Sequence, residues 1–169
     1  MAARPLEQLP DGSDVFIDAN VFVYGLNGQS IQCKNLLEKC SREEVTGVSL
    51  FEIVNEATHR FMLAEALSKG LIKKESAGDM RKHAKTIIPS LADYWLNTER
   101  ILSLNLLLLP TDDSMLRQAQ VERRQAGLLT NDSMIISCMR IYGLTSLATR
   151  DKDFHGINGI VVFQPGDLP

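Results

Sequence analysis

Four short acidic signatures stand at separate places in this chain: Val15-Phe16-Ile17-Asp18-Ala19-Asn20, Ile53-Val54-Asn55-Glu56, Thr130-Asn131-Asp132-Ser133 and Ala148-Thr149-Arg150-Asp151-Lys152-Asp153-Phe154. Three of them fall where a strand should end or a helix should begin. Carboxylates gathered from distant segments repel one another and lose hydration, and they persist together mainly where a divalent cation neutralises them. Hard oxygen donors of this kind select Mg²⁺ or Mn²⁺. A cation held this way lowers the pKa of a bound water and offsets charge on a phosphate. The pattern therefore points to a metal-dependent enzyme acting on phosphates.

Each acid also has a plainer explanation. Asp18 could close a solvated turn, but the apolar run that follows, Val21-Phe22-Val23, argues against one. Asp132 could serve only the amides and dipole of a helix start. Thr130 and Asn131 already offer capping oxygens there, so a third polar residue is more than capping requires. Asp151 and Asp153 alone could be a charged surface turn; beside the other motifs, Asp151 becomes a metal-ligand candidate and Asp153 a supporting one. Glu52 and Glu56 lie four apart on a predicted helix and share a face. Glu56, among Ile53, Val54 and Ala57, is the better candidate, and spacing alone leaves the choice between the two open. Asp112 and Asp113 read as first-turn helix acids, and Asp79, Asp93 and Asp167 have no motif around them.

Such a site needs a scaffold that brings four segments to one edge. Residues 15–18, 45–48, 106–109, 144–149 and 160–163 read as short strands. A short helix can begin at Asn20. Ser30 is the expected cap of a helix over 31–41, and Ser49 of one running from Leu50 towards Ala66, with Gly70 as its stop. Residues 75–105 are helical in pattern and broken at Pro89; Trp95, Ile101, Leu102 and Leu104 should form the apolar side of the second piece. Another helix starts at 111–114 and ends near Gly127. A last one, capped by Thr130 or Asn131, runs to Tyr142. Strands alternating with helices predict an α/β sandwich around a parallel sheet, which binds ligands beyond the carboxyl ends of its strands. Asp18 and Asp151 fall at such ends. Residues 1–13 read as a flexible lead-in, 14–169 as one domain, and about 70–105 as a helical flap or clamp.

Bulk properties narrow the class. The chain has 169 residues, 44% hydrophobic and 23% charged, which suits one folded domain and excludes a mainly disordered chain. A net charge of −3 argues against broad, purely electrostatic binding to nucleic acid. It leaves room for a nuclease, because active-site acids carry part of that charge. Cys33, Cys40 and Cys138 form no CxxC pair and read as buried thiols of a reducing compartment. The first residues lack the apolar core of a secretory signal, and Leu106–Leu109 is too short to span a bilayer. The expectation is a cytoplasmic protein with no membrane partner.

In this order, Phe-Ile-Asp-Ala-Asn-Val, Val-Asn-Glu, Leu-Thr-Asn-Asp-Ser-Met-Ile and Leu-Ala-Thr-Arg-Asp-Lys-Asp-Phe resemble the motifs of a PIN-domain ribonuclease. The resemblance is strongest to the VapC-like toxins of bacterial and archaeal toxin–antitoxin modules, and it covers about residues 14–164. It implies Asp18, Glu56, Asp132 and Asp151 as an acidic quartet holding Mg²⁺ or Mn²⁺, with Asp153 as a further ligand. Asn20, Thr149 and Thr130 would orient those ligands. The fold implied is a five-stranded parallel sheet of order 3-2-1-4-5 flanked by helices, with a helical insertion. The activity implied is cleavage of single-stranded or structured RNA by a metal-activated water, leaving a 5′-phosphate and a 3′-hydroxyl. An antitoxin protein and a second copy of the chain are the implied partners, with an apolar groove between Leu50 and Asn105 as the docking place. The stretch from about Gly70 to Asn105 departs from the family pattern.

RNA has to approach a negative site. Lys152, Arg150, Arg123, Arg124 and Arg60 are candidate phosphate contacts, and solvated surface charge explains each equally well. Tyr24 and Phe154 could stack on bases, although core packing is the better account of both. His59, His83 and His155 are scattered and lack a nucleophile partner, so nucleophilic catalysis is disfavoured. Two other classes compete with the ribonuclease. One is a non-catalytic RNA-binding or scaffold module that keeps the fold, against which the intact acids weigh. The other is a phosphohydrolase of small molecules; an aspartyl-phosphate enzyme would carry a second acid where Asn20 stands.

Overall fold

The computed structural model describes residues 3–169. Among them, six strands build one sheet: β1 (Arg4–Pro5), β2 (Asp14–Ile17), β3 (Thr46–Leu50), β4 (Leu107–Leu109), β5 (Ser146–Ala148) and β6 (Val161–Gln164). The order is β1-β6-β5-β2-β3-β4 and every pairing is parallel. Val15, Phe16 and Ile17 of β2 are wholly buried. Successive strand residues point to opposite faces, so helices must cover both sides of the sheet.

The expected five strands are six. Arg4 pairs with Phe163 and Pro5 with Gln164, which adds a strand at the edge beyond β6. An edge strand tolerates proline, and two residues carry no alternation to read. Leu6 and Leu9 follow as buried residues, so this part of the segment read as a lead-in packs on the core. Its residues 1–2 lie outside the described residues.

The helices are α1 (Ala19–Leu26), α2 (Ile31–Ser41), α3 (Phe51–Ser68), α4 (Ala77–Lys82), α5 (Ala84–Ile87), α6 (Asp93–Leu102), α7 (Asp113–Ala126) and α8 (Thr130–Ile141). Ser30 caps α2 by accepting from the Cys33 amide at 3.0 Å, and Asp112 caps α7 through Met115 at 2.9 Å. Gly127, with φ 70°, ends α7 in the left-handed conformation that glycine adopts without strain. Two expected caps fail. Ser49 stays inside β3, where its hydroxyl donates to the Ile17 carbonyl at 2.9 Å, because pairing with β4 continues through Leu50. Leu129 precedes α8 with no side-chain cap; Thr130 and Asn131 are already helical.

The 70–105 region stands on the far end of α3. Leu63 and Ala66 of α3 form a satellite core with Ile72, Met80, Ile87 and Leu91. Helix α6 lies along α3, joined by a 2.9 Å hydrogen bond between the Thr58 and Thr98 hydroxyls. Buried Glu65 of α3 accepts from the amides of Ala92 and Tyr94 at 2.9 and 2.8 Å and from Lys69 Nζ at 2.5 Å. Burial alone would raise its pKa; these donors outweigh burial and hold it at about 2. Thr98 and Ile101 are the buried residues of α6, which leaves Trp95 and Leu102 exposed at 49% and 46% instead of forming its inner side. Cys33, Cys40 and Cys138 are free and buried. Burial pushes the first two thiols up to about 11 and the third to about 12, so all three stay protonated. Among the described residues, no helix is long and apolar enough to cross a membrane.

Candidate active site

The chain leaves β2, builds β3 and β4 on one side of it, and returns as β5 on the other. Such a reversal opens a crevice at the carboxyl ends of the two strands. Ile17 lies opposite Ala148 in the register, and the Asp18 amide donates to the Ala148 carbonyl at 3.1 Å. The residues just past these strands, Asp18 and Thr149, are thereby set side by side.

Asp18 caps α1, with its Oδ1 accepting from the Ala19 amide at 2.6 Å. Its Oδ2 accepts from the Thr149 hydroxyl at 2.6 Å and from Asn20 Nδ2. Fully buried Thr149 is the centre of this network: its oxygen also accepts from Asn20 Nδ2 at 2.9 Å and from the Asp151 amide at 3.0 Å. Asn20 Oδ1 in turn accepts from the Arg150 amide at 3.1 Å. The ends of β2 and β5 are thus locked together by side chains of both.

Burial pushes the Asp18 carboxyl up to about 6. The Thr149 and Ala19 donors partly offset this, and the charges of Glu56 and Asp132 add to it. Asp132, half-buried in the first turn of α8, is also raised, first by burial and then by Asp151, Glu56 and Asp153. Asp18, Glu56, Asp132 and Asp151 therefore share one electrostatic field. Glu52 is exposed and takes no part in it; its charge bears on Cys138 instead. Asp153 reaches Asp132 by charge, but lines a separate cavity with Glu122 and Arg140. Its amide donates to Asp151 Oδ1 at 2.9 Å.

The donor set fits a hard divalent cation. Every acid in the field is a carboxylate, their mutual repulsion is uncompensated, and none forms an ion pair with a side chain among the described residues. Yet among those residues no three acidic, histidine or cysteine side chains close into a preformed metal cage.

One contact at the site escaped sequence reasoning. Asn131 caps nothing; its Nδ2 donates to Glu56 Oε2 at 2.7 Å, tying α8 to α3. Thr130, expected to orient a ligand, is exposed, and its carbonyl accepts from the Ser133 hydroxyl at 2.7 Å. A contact across 75 residues leaves no periodic mark, and only adjacency to Asp132 hinted at Asn131. Tyr24 is half-buried, and the guanidinium groups of Arg60 and Arg150 each lie 5.9 Å from its ring centroid. Phe154, by contrast, is a core residue. His59, His83 and His155 are exposed on separate elements, and Arg123 and Arg124 sit in the last turn of α7.

Known proteins match this arrangement along nearly its whole length. Ribonuclease VapC2 of Methanocaldococcus jannaschii is 21% identical over 150 residues, covering 89% of this chain and 93% of the relative. Ribonuclease VapC6 of the same organism is 26% identical over 153 residues, covering 90% and 97%. Two solved structures share the fold. VapBC2 from Rickettsia felis, crystallised with a DNA fragment from their promoter, superposes with a TM-score of 0.56 at 15% identity, covering 89% of this chain and 98% of that one. A toxin–antitoxin complex from Klebsiella pneumoniae gives 0.52 at 17%, covering 87% and 95%. The PIN domain family model matches residues 15–160, and this chain belongs to the PIN-domain family.

Proposed function

We propose that this chain is a Mg²⁺- or Mn²⁺-dependent endoribonuclease and the toxin of a VapBC-type toxin–antitoxin pair. One observation carries the chemistry: Asp18, buried and held by three donors, lies in the field of Glu56 and Asp132, and among the described residues none of the three forms an ion pair with a side chain. VapC ribonucleases that align over almost their full length support the choice of RNA.

In this reading Asp18, Glu56, Asp132 and Asp151 hold the ion, with Asp153 at the margin. A bound divalent ion supplies a water of lowered pKa and offsets charge on the phosphate. The Thr149 hydroxyl and Asn20 fix Oδ2 of Asp18 and the Ala19 amide fixes Oδ1, so the carboxylate is held in one orientation. Asn131 holds one oxygen of Glu56 and leaves the other free to accept a proton from the attacking water. The products are a 5′-phosphate and a 3′-hydroxyl. Trp95, Leu96 and Leu102 give α6 an exposed apolar surface that supports docking of an antitoxin segment or of a second copy of the chain. Action in the cytoplasm belongs to the same reading, since that is where a toxin restrained by an antitoxin would meet RNA.

The test is RNA cleavage by purified protein with Mg²⁺ or Mn²⁺ and with EDTA, for wild type and Asp18→Asn. Metal-dependent cleavage that Asp18→Asn largely loses is expected. The lack of a preformed cage keeps the scaffold reading in play. RNA binding without cleavage in either metal favours that reading, and equal cleavage by wild type and variant sinks the assignment of Asp18.

A further inference from the structure

We infer that the cleft beside Tyr24 is a subsite for the phosphate of a nucleotide neighbouring the one that is cut, an inference that rests on the ribonuclease reading. The cleft encloses about 490 Å³ and is lined by Asn20, Tyr24, Arg60, Arg150, Asp151 and Lys152. That volume lies within the range of small-ligand sites, roughly 300–1,000 Å³. Three of its side chains are cations and one is a carboxylate, in a chain whose net charge is −3. The positive charge is therefore local and opposes the character of the whole molecule.

Its position follows from the chain. Arg60 stands one turn beyond Glu56 on α3, so the two share a face. Arg150 immediately precedes Asp151, and Asn20 and Asp151 belong both to the cleft and to the acidic network. A strand of RNA whose scissile phosphate met the acids would set an adjacent phosphate here.

The arginines are gathered rather than dispersed. Two guanidinium groups face one half-buried tyrosine ring, each 5.9 Å from its centroid. Among the described residues neither forms an ion pair with a side-chain carboxylate. Arg150 donates to the main-chain oxygen of Pro169, the last residue of the sequence, a contact that a phosphate on Arg150 would displace, whereas among the described residues Arg60 has no such partner. The Tyr24 ring holds both guanidinium groups at the cleft, and the planar donor fork of each matches a phosphate. The contact reads phosphate, so it carries no preference for base.

A fluorescent single-stranded RNA, titrated by anisotropy in EDTA across a salt series, tests this without turnover. Arg60→Ala and Arg150→Ala should each weaken binding and flatten the salt dependence by about 0.7 in log Kd per log salt, the value for one lost phosphate contact on a single strand. Arg60→Lys should keep the slope while losing affinity. Arg81→Ala, which removes an exposed charge on α4 outside the cleft, should change neither. Wild-type affinity and slope in both alanine variants overturn the subsite, as does a wild-type protein that binds no RNA. A polyglutamate peptide that binds through Arg60 where RNA does not assigns the cleft to a protein partner and also overturns it. Cleavage measured in parallel separates the two ideas. Metal-dependent cutting with Arg60-independent binding refutes the subsite alone, and Arg60-dependent binding without cutting refutes the nuclease alone.

Discussion

Thr149 holds the centre of the site without carrying charge. Its hydroxyl donates to Asp18 and its oxygen accepts from Asn20 and Asp151. Removing it strips a donor that lowers the Asp18 pKa, so that pKa should climb above about 6. Thr149→Ala should therefore lose roughly tenfold or more in kcat near neutral pH, the usual scale for a residue that orients a metal ligand. The acid limb of its pH–rate profile should move to higher pH, while Thr149→Ser keeps both rate and profile. An alanine variant slowed equally at every pH would show that Thr149 acts through folding alone. Asn131 sets up a second case. Asn131→Ala frees Glu56 and should also cost roughly tenfold in kcat with little change in stability, because Asn131 is exposed. Asn131→Asp places a carboxylate against Glu56 and should cost more; steady-state cleavage with a thermal melt separates rate from stability. Asp18 and Thr149 stand out in the sequence because each follows directly on an apolar strand, with Asn20 and Asp151 two residues further on. Glu52 and Glu56 are equivalent in spacing, and only the apolar neighbours of Glu56 favour it in the sequence; the fold adds that its charge acts on Asp18 and Asp132.

Strands announced themselves where they are buried on both faces, as at Val15–Ile17, and helices where a cap or stop residue punctuates the chain, as at Ser30 and Gly127. The failures share a cause, which is dependence on a distant partner. Arg4–Pro5 is a strand only because β6 lies beside it. Trp95 looked like an inner residue by type, yet α6 buries Thr98 and Ile101, in register with Thr58 of α3. Glu65, which went unremarked as one more helix acid, is the residue that fastens α6 to α3. Its pKa is held at about 2 against an ordinary 4.5, so it adds stability above pH 4.5 that is lost as pH falls towards 2. Glu65→Gln keeps the shape but not the charge, and should destabilise the protein by about 1–3 kcal/mol at pH 7. Denaturant melts of variant and wild type should converge as pH falls from 4.5 to 2 and below, as Glu65 becomes protonated. A gap as wide at pH 2 as at pH 7 would mean that packing, not charge, is what the substitution disturbs.

Across the molecule, the fold gathers carboxylates at one edge of the sheet, and among the described residues no side-chain cation forms an ion pair with them. Folding must then work against the desolvated Asp18 carboxylate. Its pKa is raised from 3.8 to about 6, so the metal-free protein draws stability from this group below pH 3.8 and loses it as pH rises through 6. A divalent cation reverses the balance, because it binds the carboxylate that the proton would otherwise neutralise. Ligation of the native state alone stabilises by about 2.7 kcal/mol at one hundred times the Kd. For a domain of this size that corresponds to a rise in Tm of roughly 5–10 °C. The rise on adding Mg²⁺ to EDTA-treated protein should therefore be large at pH 7.5 and small at pH 5, where the proton competes for Asp18. Asp18→Asn should abolish most of it at both pH values. Scanning calorimetry at the two pH values, with and without Mg²⁺, measures this without any RNA and so independently of catalysis. An equal rise at pH 5 and 7.5, or one that survives in Asp18→Asn, places the ion elsewhere. The sequence names the acids and the fold sets their separation; among the described residues no three of them close into a preformed trio. A cage that closes only on the ion should bind it with a measurable ordering of α3 and α8 around Glu56 and Asp132, seen as slowed amide exchange in the turns that carry them.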